Sequence, residues 1–256
     1  MMRRPTSGGW NPSTLILLSL LFIGPSLRNG RQNTSTEAIV ASLIAAVIAV
    51  TVHECMHALT ALRLGDDTAA RMGRVTLNPV AHFDPFGFLG FILIAFGIST
   101  VAWGRPVPVV MSRLRGDFDR RKLGMLLIAI AGPISNFVMA AVAVLALRLF
   151  SRGDTDLGYT GFFLTRFAWI NMSFAAFNLI PLPPLDGSRV LSGLLPSFWF
   201  PFFAKLETAG LATPFLLIFA DRSLNLGLYD AMVGPPFNAL YDLFVNTTFI
   251  DYFLRF

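Results

Sequence analysis

The run IVASLIAAVIAVTVHECMHALTALRLG, residues 39–65, limits what this chain can become more than any other stretch. It is apolar and long enough to cross a bilayer, which takes about 20 residues at a rise of ~1.5 Å each. Yet it carries His53, Glu54 and His57. Such groups are costly in hydrocarbon unless they are paired or bound to something. Histidines four residues apart lie roughly 40° apart on one helix face. The run therefore predicts a membrane helix over 37–62 with two imidazoles aimed at one point, about 8–14 Å short of its C-terminal end.

The rest of the chain fits that setting. Only 14% of its 256 residues are charged and 54% are apolar, whereas a soluble domain carries roughly a quarter charged residues. Further apolar segments at 14–27, 86–103, 123–150, 160–185 and 197–220 predict an all-α polytopic membrane protein with about six transmembrane segments. Segment 14–27 follows Arg3 and Arg4 and reads as a signal anchor or a cleaved signal peptide. Residues 224–256, interrupted by Gly234, Pro235 and Pro236, read as a final crossing or an interfacial helix. The net charge of +5 is not gathered into a basic domain, so nucleic acid is not an expected partner. Cys55, the single cysteine, excludes an intramolecular disulfide. It points away from the histidine face and reads as a packing residue. The domain reading is a signal-anchor segment and loop (1–36), a catalytic membrane core (37–190) and C-terminal transmembrane or interfacial segments (191–256). Within the core the expected parts are the HExxH helix, a region over 63–122, a helix over 123–150 and a helix over 160–188.

His53-Glu54-x-x-His57 has the zincin spacing: both imidazoles can ligate one Zn²⁺ while Glu54 acts as general base toward a water. The plain alternative is a polar cluster joining helices. Zinc also needs a third protein ligand. His82 is one candidate. Asp186 is another, in FNLIPLPPLDGSRVL, where Pro181, Pro183 and Pro184 interrupt an apolar helix. Irregular backbone at membrane depth is tolerated only where protein or a watery cavity covers it; the plain reading of Asp186 is a helix-end residue at the interface. In GRPVPVV, Pro106 and Pro108 deny donors to one strand edge, while Arg105, Val107 and Val109 keep donors on the other. A one-sided edge suits addition of an extended substrate, or equally a surface turn guarded against aggregation. Gly132 and Asn136, at i and i+4, read as a close helix contact.

HECMH, AGPISN (131–136) and NLIPLPPLDG (178–187) together resemble the site-2 protease family of intramembrane zinc metalloproteases. RVTLNPVAHFDPFG (74–87) and GRPVPV (104–109) resemble its compact branch lacking PDZ and CBS domains, and the likeness covers residues 40–190. The resemblance implies one Zn²⁺ held by His53, His57 and Asp186, with Glu54 as base. It also implies that Asn178 contacts substrate backbone or the oxyanion, and that His82 is a conformational or substrate-region residue and not a ligand. The implied partners are the lipid bilayer and a protein cut within its transmembrane segment, as in regulated intramembrane proteolysis at the plasma membrane. The competing function is a zinc-binding membrane scaffold or transporter without proteolysis. An intact Glu54 and the lack of internal repeats count against it.

For His53, His57 and Asp186 to share one metal, their helices must run the same way. Segment 123–150 must then run opposite, so 63–122 begins and ends on one side of the membrane. Segment 86–103 is accordingly expected either to re-enter, in a β-hairpin-like region, or to be answered by a second pass. With this topology most loop cations, among them Arg71, Arg74, Arg113, Arg120, Arg121 and Lys122, fall on one side. Arg28, Arg31, Arg152 and Arg222 fall on the other. The positive-inside rule makes the richer side cytoplasmic, and the metal site opens toward it.

Overall fold

The computed structural model describes residues 35–96, 102–150, 157–199 and isolated positions beyond. Segment 14–27 and most of 197–220 and 224–256 lie outside the described residues. Within them the chain is all-helical: α1 (Thr36–Arg63), α2 (Thr68–Arg71), α3 (Pro85–Ala95), α4 (Phe118–Phe150), α5 (Gly158–Asn178) and α6 (Asp186–Leu194), with short 3₁₀ turns and no strand.

α1 starts where Ser35 accepts a hydrogen bond from the Ala38 N–H at 3.2 Å, with Glu37 in the positive first turn. It stops at Leu64 and Gly65, whose φ of 110° suits glycine. Its buried face is largely alanine, including Ala41, Ala45, Ala49, Ala58 and Ala61, while Val40, Ile44 and Ile48 are exposed. α4 repeats the pattern, with Ala140 and Ala143 inside and Val138, Val142 and Leu145 outside. Small residues inward and branched apolar residues outward is how helices pack together in lipid. α1 and residues 118–147 of α4 are long and apolar enough to cross a membrane. α5 packs against both, and α6 packs against α4.

α3 has 11 residues, about 16 Å by helical rise and roughly half a hydrocarbon core. It does not cross. The whole excursion between α1 and α4 returns to its origin, because the Arg115 N–H donates to the Leu64 carbonyl at 3.0 Å. A smaller return lies inside it, where the Arg105 N–H donates to the His82 carbonyl at 2.9 Å. Two buried charges fasten these limbs. Asp66 accepts from the Thr68 N–H at 3.0 Å and from the Val110 N–H at 2.6 Å. Arg74 donates to the carbonyls of Ala81 and Arg105.

Two sequence expectations change here. Residues 105–109 form no strand among the described residues: His82 takes the Arg105 N–H, and Val107 packs on Ala58 and Ala69. The helix expected over 160–188 ends at Asn178, and Asp186 opens a separate helix. Pro181, Pro183 and Pro184 supply no donors to continue α5. The α6 N-terminus then lies against the Leu179 and Ile180 carbonyls, where a Cβ on Gly187 would collide with them.

Candidate metal centre

Four helices meet at one buried point. α1 brings His53 and His57, and the first residue of α6 brings Asp186, all less than 9% exposed. The His53 and His57 Nε2 atoms are 3.0 Å apart, and Asp186 Oδ2 lies 3.1 Å and 3.2 Å from them. These three residues form a metal-binding constellation among the described residues. His82 and Cys55 are not part of it.

The far side of each ring explains how the near side is free. His53 Nδ1 lies 2.6 Å from Asn136 Oδ1, and His57 Nδ1 lies 2.7 Å from the Ile128 carbonyl. The Ile128 carbonyl can only accept, so His57 Nδ1 carries a proton. Asn136 Nδ2 donates to the carbonyl of Ala49 and to Asn171 Oδ1, which leaves its Oδ1 as an acceptor for His53 Nδ1–H. Asn171 in turn donates to the Phe167 carbonyl at 2.8 Å. In their neutral state both rings then present bare Nε2 lone pairs to each other and to a carboxylate. Three acceptors at such distances repel unless a cation sits among them. Zinc with ligand bonds of 2.0–2.1 Å sets neighbouring donors about 3.3 Å apart in a tetrahedron. The residues fit zinc.

Gly132 of α4 makes room for the rings. A Cβ there would stand 2.6 Å from His57 Cε1 and 2.7 Å from His53 Cε1. Phe174 of α5 closes the other flank, its ring meeting that of His53 edge-on at 5.0 Å between centroids. Glu54 is 8% exposed and accepts no hydrogen bond among the described residues. Gly104 lies against it, since a Cβ on Gly104 would reach within 3.4 Å of Glu54 Oε1. The nearby cation is Arg74, itself 4% exposed. Burial and, next, the Arg105 guanidinium push its pKa below the usual arginine value, and Glu54 pulls it back up. An arginine stays charged throughout.

The remaining expected residues are scattered around this centre. Asn178 ends α5 and donates to the Phe174 carbonyl at 2.9 Å. The Val107 and Val109 N–H groups have no partner among the described residues, and Arg105 is exposed. His82 is buried with Nε2 facing the Thr76 carbonyl at 2.9 Å. Sequence reasoning missed Asn171 and Gly104 and read Asn136 as packing. A buried asparagine in an apolar helix was the available signal for both asparagines.

Comparison with known proteins agrees with this geometry. The family model described as Peptidase family M50 matches residues 154–220, which include Asp186. YwhC of Bacillus subtilis (strain 168), a zinc metalloprotease by name, is 36% identical over 214 residues, covering 75% of this chain and 92% of the relative. MJ0611 of Methanocaldococcus jannaschii, named likewise, is 31% identical over 74% of this chain and 83% of its own length. Rip2 of Mycobacterium tuberculosis (strain H37Rv), also named likewise, is 28% identical over 91% of this chain and 86% of its own. No solved structure matches the chain.

Proposed function

The chain belongs to peptidase family M50 and is a zinc metallopeptidase of the site-2 protease type, and on that premise we propose that it hydrolyses peptide bonds within or beside transmembrane segments of membrane proteins. His53, His57 and Asp186 hold the zinc, and Glu54 is the general base. The observation that carries this reading is the convergence of three lone-pair donors beside a buried carboxylate that accepts no hydrogen bond.

Bound zinc supplies Lewis acidity, which polarises a peptide carbonyl and makes water a better nucleophile near neutral pH. Glu54 takes the proton of the attacking water and returns one to the leaving amine. Asn136 and the Ile128 carbonyl keep both imidazoles in the tautomer that exposes Nε2. Asn178 contacts substrate backbone or the developing oxyanion. A peptide bond in a transmembrane helix must be unwound before water reaches it, and its freed backbone groups then need partners. The unpaired N–H groups of Val107 and Val109 support a role for 105–109 in receiving that backbone.

The returns at Leu64–Arg115 and His82–Arg105, and the shortness of α3, support a re-entrant course for 63–122 inside a catalytic core of 37–190. With the loop cations, they favour a metal site opening to the cytoplasm from the plasma membrane.

The test is cleavage of a model transmembrane peptide by purified wild type and Glu54→Gln, with zinc per chain measured on both. We expect zinc in both proteins and a loss of at least about 100-fold in cleavage for Glu54→Gln. Equal cleavage would remove Glu54 from its role. Zinc without turnover by the wild type on varied peptides would favour a scaffold, and cuts mapped outside the membrane boundary would reassign the substrate to loops.

A further inference from the structure

His82 holds an unused acceptor. The ring is 1% exposed and sits in the turn Pro79–His82, which Asn78 caps by accepting from the Val80 N–H at 3.1 Å. The Thr76 carbonyl can only accept, so the ring nitrogen facing it, Nε2, carries the proton. Nδ1 of the neutral ring is then a bare lone pair, and it is buried with no partner. Buried acceptors in native proteins are almost always matched, and an orphan calls for an explanation.

The surroundings of the ring supply one. It lines a small cleft walled by Val47, Val50, Phe88, Phe91 and Trp103. Gly104 belongs to the same wall and touches Glu54 through the space its missing side chain leaves. Gly104 thus stands between the cleft and the proposed general base. The other polar side chains of the lining are at least partly used: Thr51 donates to the Val47 carbonyl at 2.6 Å, and Asp84 Oδ1 accepts from the N–H groups of Phe86 and Gly87. His82 Nδ1 is the lining's buried side-chain acceptor that has no partner among the described residues.

We propose that His82 Nδ1 accepts a hydrogen bond from a backbone N–H of the substrate's unwound segment, which makes His82 a substrate-binding residue. This rests on the protease reading of the metal centre. A mainly apolar cleft with a buried, unused acceptor is complementary to a stretch of apolar side chains whose donors are its own backbone N–H groups. Those N–H groups lose their partners on unwinding, at a depth where water does not replace them. Matching one of them to this lone pair, once the cleft parts enough to expose it, aligns the chain next to Gly104, the residue that lies against Glu54.

Two substitutions separate this role from a structural one. The amide nitrogen of His82→Gln takes the place of Nε2 and keeps the bond to Thr76, with nothing at Nδ1. The amide oxygen of His82→Asn takes the place of Nδ1 and gives up the bond to Thr76. We expect His82→Gln to lose roughly tenfold in kcat/KM, mostly through KM, with zinc content and melting temperature unchanged. His82→Asn should stay within about threefold of wild type. The reverse ranking would mean that the ring acts only through Thr76, and would overturn the proposal. A scan of the peptide substrate with single amide-to-ester replacements adds an independent readout. One position should cost the wild type roughly tenfold and cost His82→Gln nothing; a penalty of equal size in both proteins at every position would overturn it. Cleavage with a fully active His82→Gln removes this inference alone, whereas no cleavage by the wild type, judged against Glu54→Gln, removes the protease reading and this inference with it.

Discussion

The metal centre and the loop region beside it are built to opposite rules. On the metal wall the far-side nitrogens are matched: His53 Nδ1 to Asn136, Asn136 to Ala49 and Asn171, Asn171 to Phe167, and His57 Nδ1 to Ile128. These groups come from continuous helices, and nothing in the set is left to choose. On the loop side, His82 Nδ1 and the N–H groups of Val107 and Val109 have no partner among the described residues. A fully satisfied buried network is stiff. A wall with unused hydrogen-bonding groups is complete only when a third party arrives. The difference teaches that the metal side is preorganised to hold one geometry, and the loop side is arranged to receive a chain.

If that contrast is right, disturbing the metal wall should cost zinc affinity, and disturbing the loop wall should not. The largest effect is expected from Gly132→Ala. Its Cβ would press on Cε1 of both imidazoles at 2.6–2.7 Å, and neither ring can yield without leaving Asn136 or Ile128. Zinc affinity, read by competition with a chelator, should fall by about 100-fold. Wild-type affinity in this variant would mean that the rings are not held as described, and the contrast between the walls would collapse.

Asn136→Ala should come next. It strips His53 Nδ1–H of its acceptor and leaves Asn171 Oδ1 and the Ala49 carbonyl without their donor. Loss of such a supporting partner costs roughly 10–100-fold in metal affinity. A lower value is expected here, about tenfold, because the packed helices still hold His53 near its place. The same titration on His82→Gln should give the wild-type constant. Equal losses in both variants would erase the distinction.

The metal wall was also the legible one. His53 and His57 declare themselves by a four-residue spacing that any straight helix turns into a shared face, so length and periodicity were enough to place them. Asp186 stood out because three prolines precede it, although its helix was drawn through the break where the chain in fact stops at Asn178 and restarts. Asn136 and Asn171 touch each other from different helices across 35 residues of sequence, and no local pattern encodes such a pairing. The loop wall depends on non-local contacts almost everywhere. His82 finds Thr76 and Arg105, Asp66 finds Val110, and Gly104 finds Glu54. The alternating prolines of GRPVPV did suggest a one-sided edge, but which of its donors were already spent depended on partners distant in sequence.

The smallest effects should separate two adjacent aspartates that look alike in sequence, and they bear on what keeps the receiving wall in place. Asp66 is fully buried and holds Thr68 and Val110 together, one oxygen to each. Asp66→Asn replaces one acceptor by an NH₂ group facing an N–H, so stability in detergent should drop by about 1–3 kcal/mol. Cleavage should suffer with it, and zinc affinity should not. Asp67 has a side chain 37% exposed and pairs with Arg71 and Arg113 at the surface. The hydrogen bond from Arg71, with the charges of Arg71 and Arg113, holds its carboxyl below the usual carboxylate range. A lowered folded-state pKa contributes stability above the unfolded value, near 3.9, and loses it as pH falls through the folded value. Solvent screens that contribution, so Asp67→Asn should melt with the wild type at pH 7, and the two curves should still coincide below pH ~3.9. A marked loss at pH 7 in Asp67→Asn would move the anchor of the receiving wall from the buried carboxylate to the surface ion pairs.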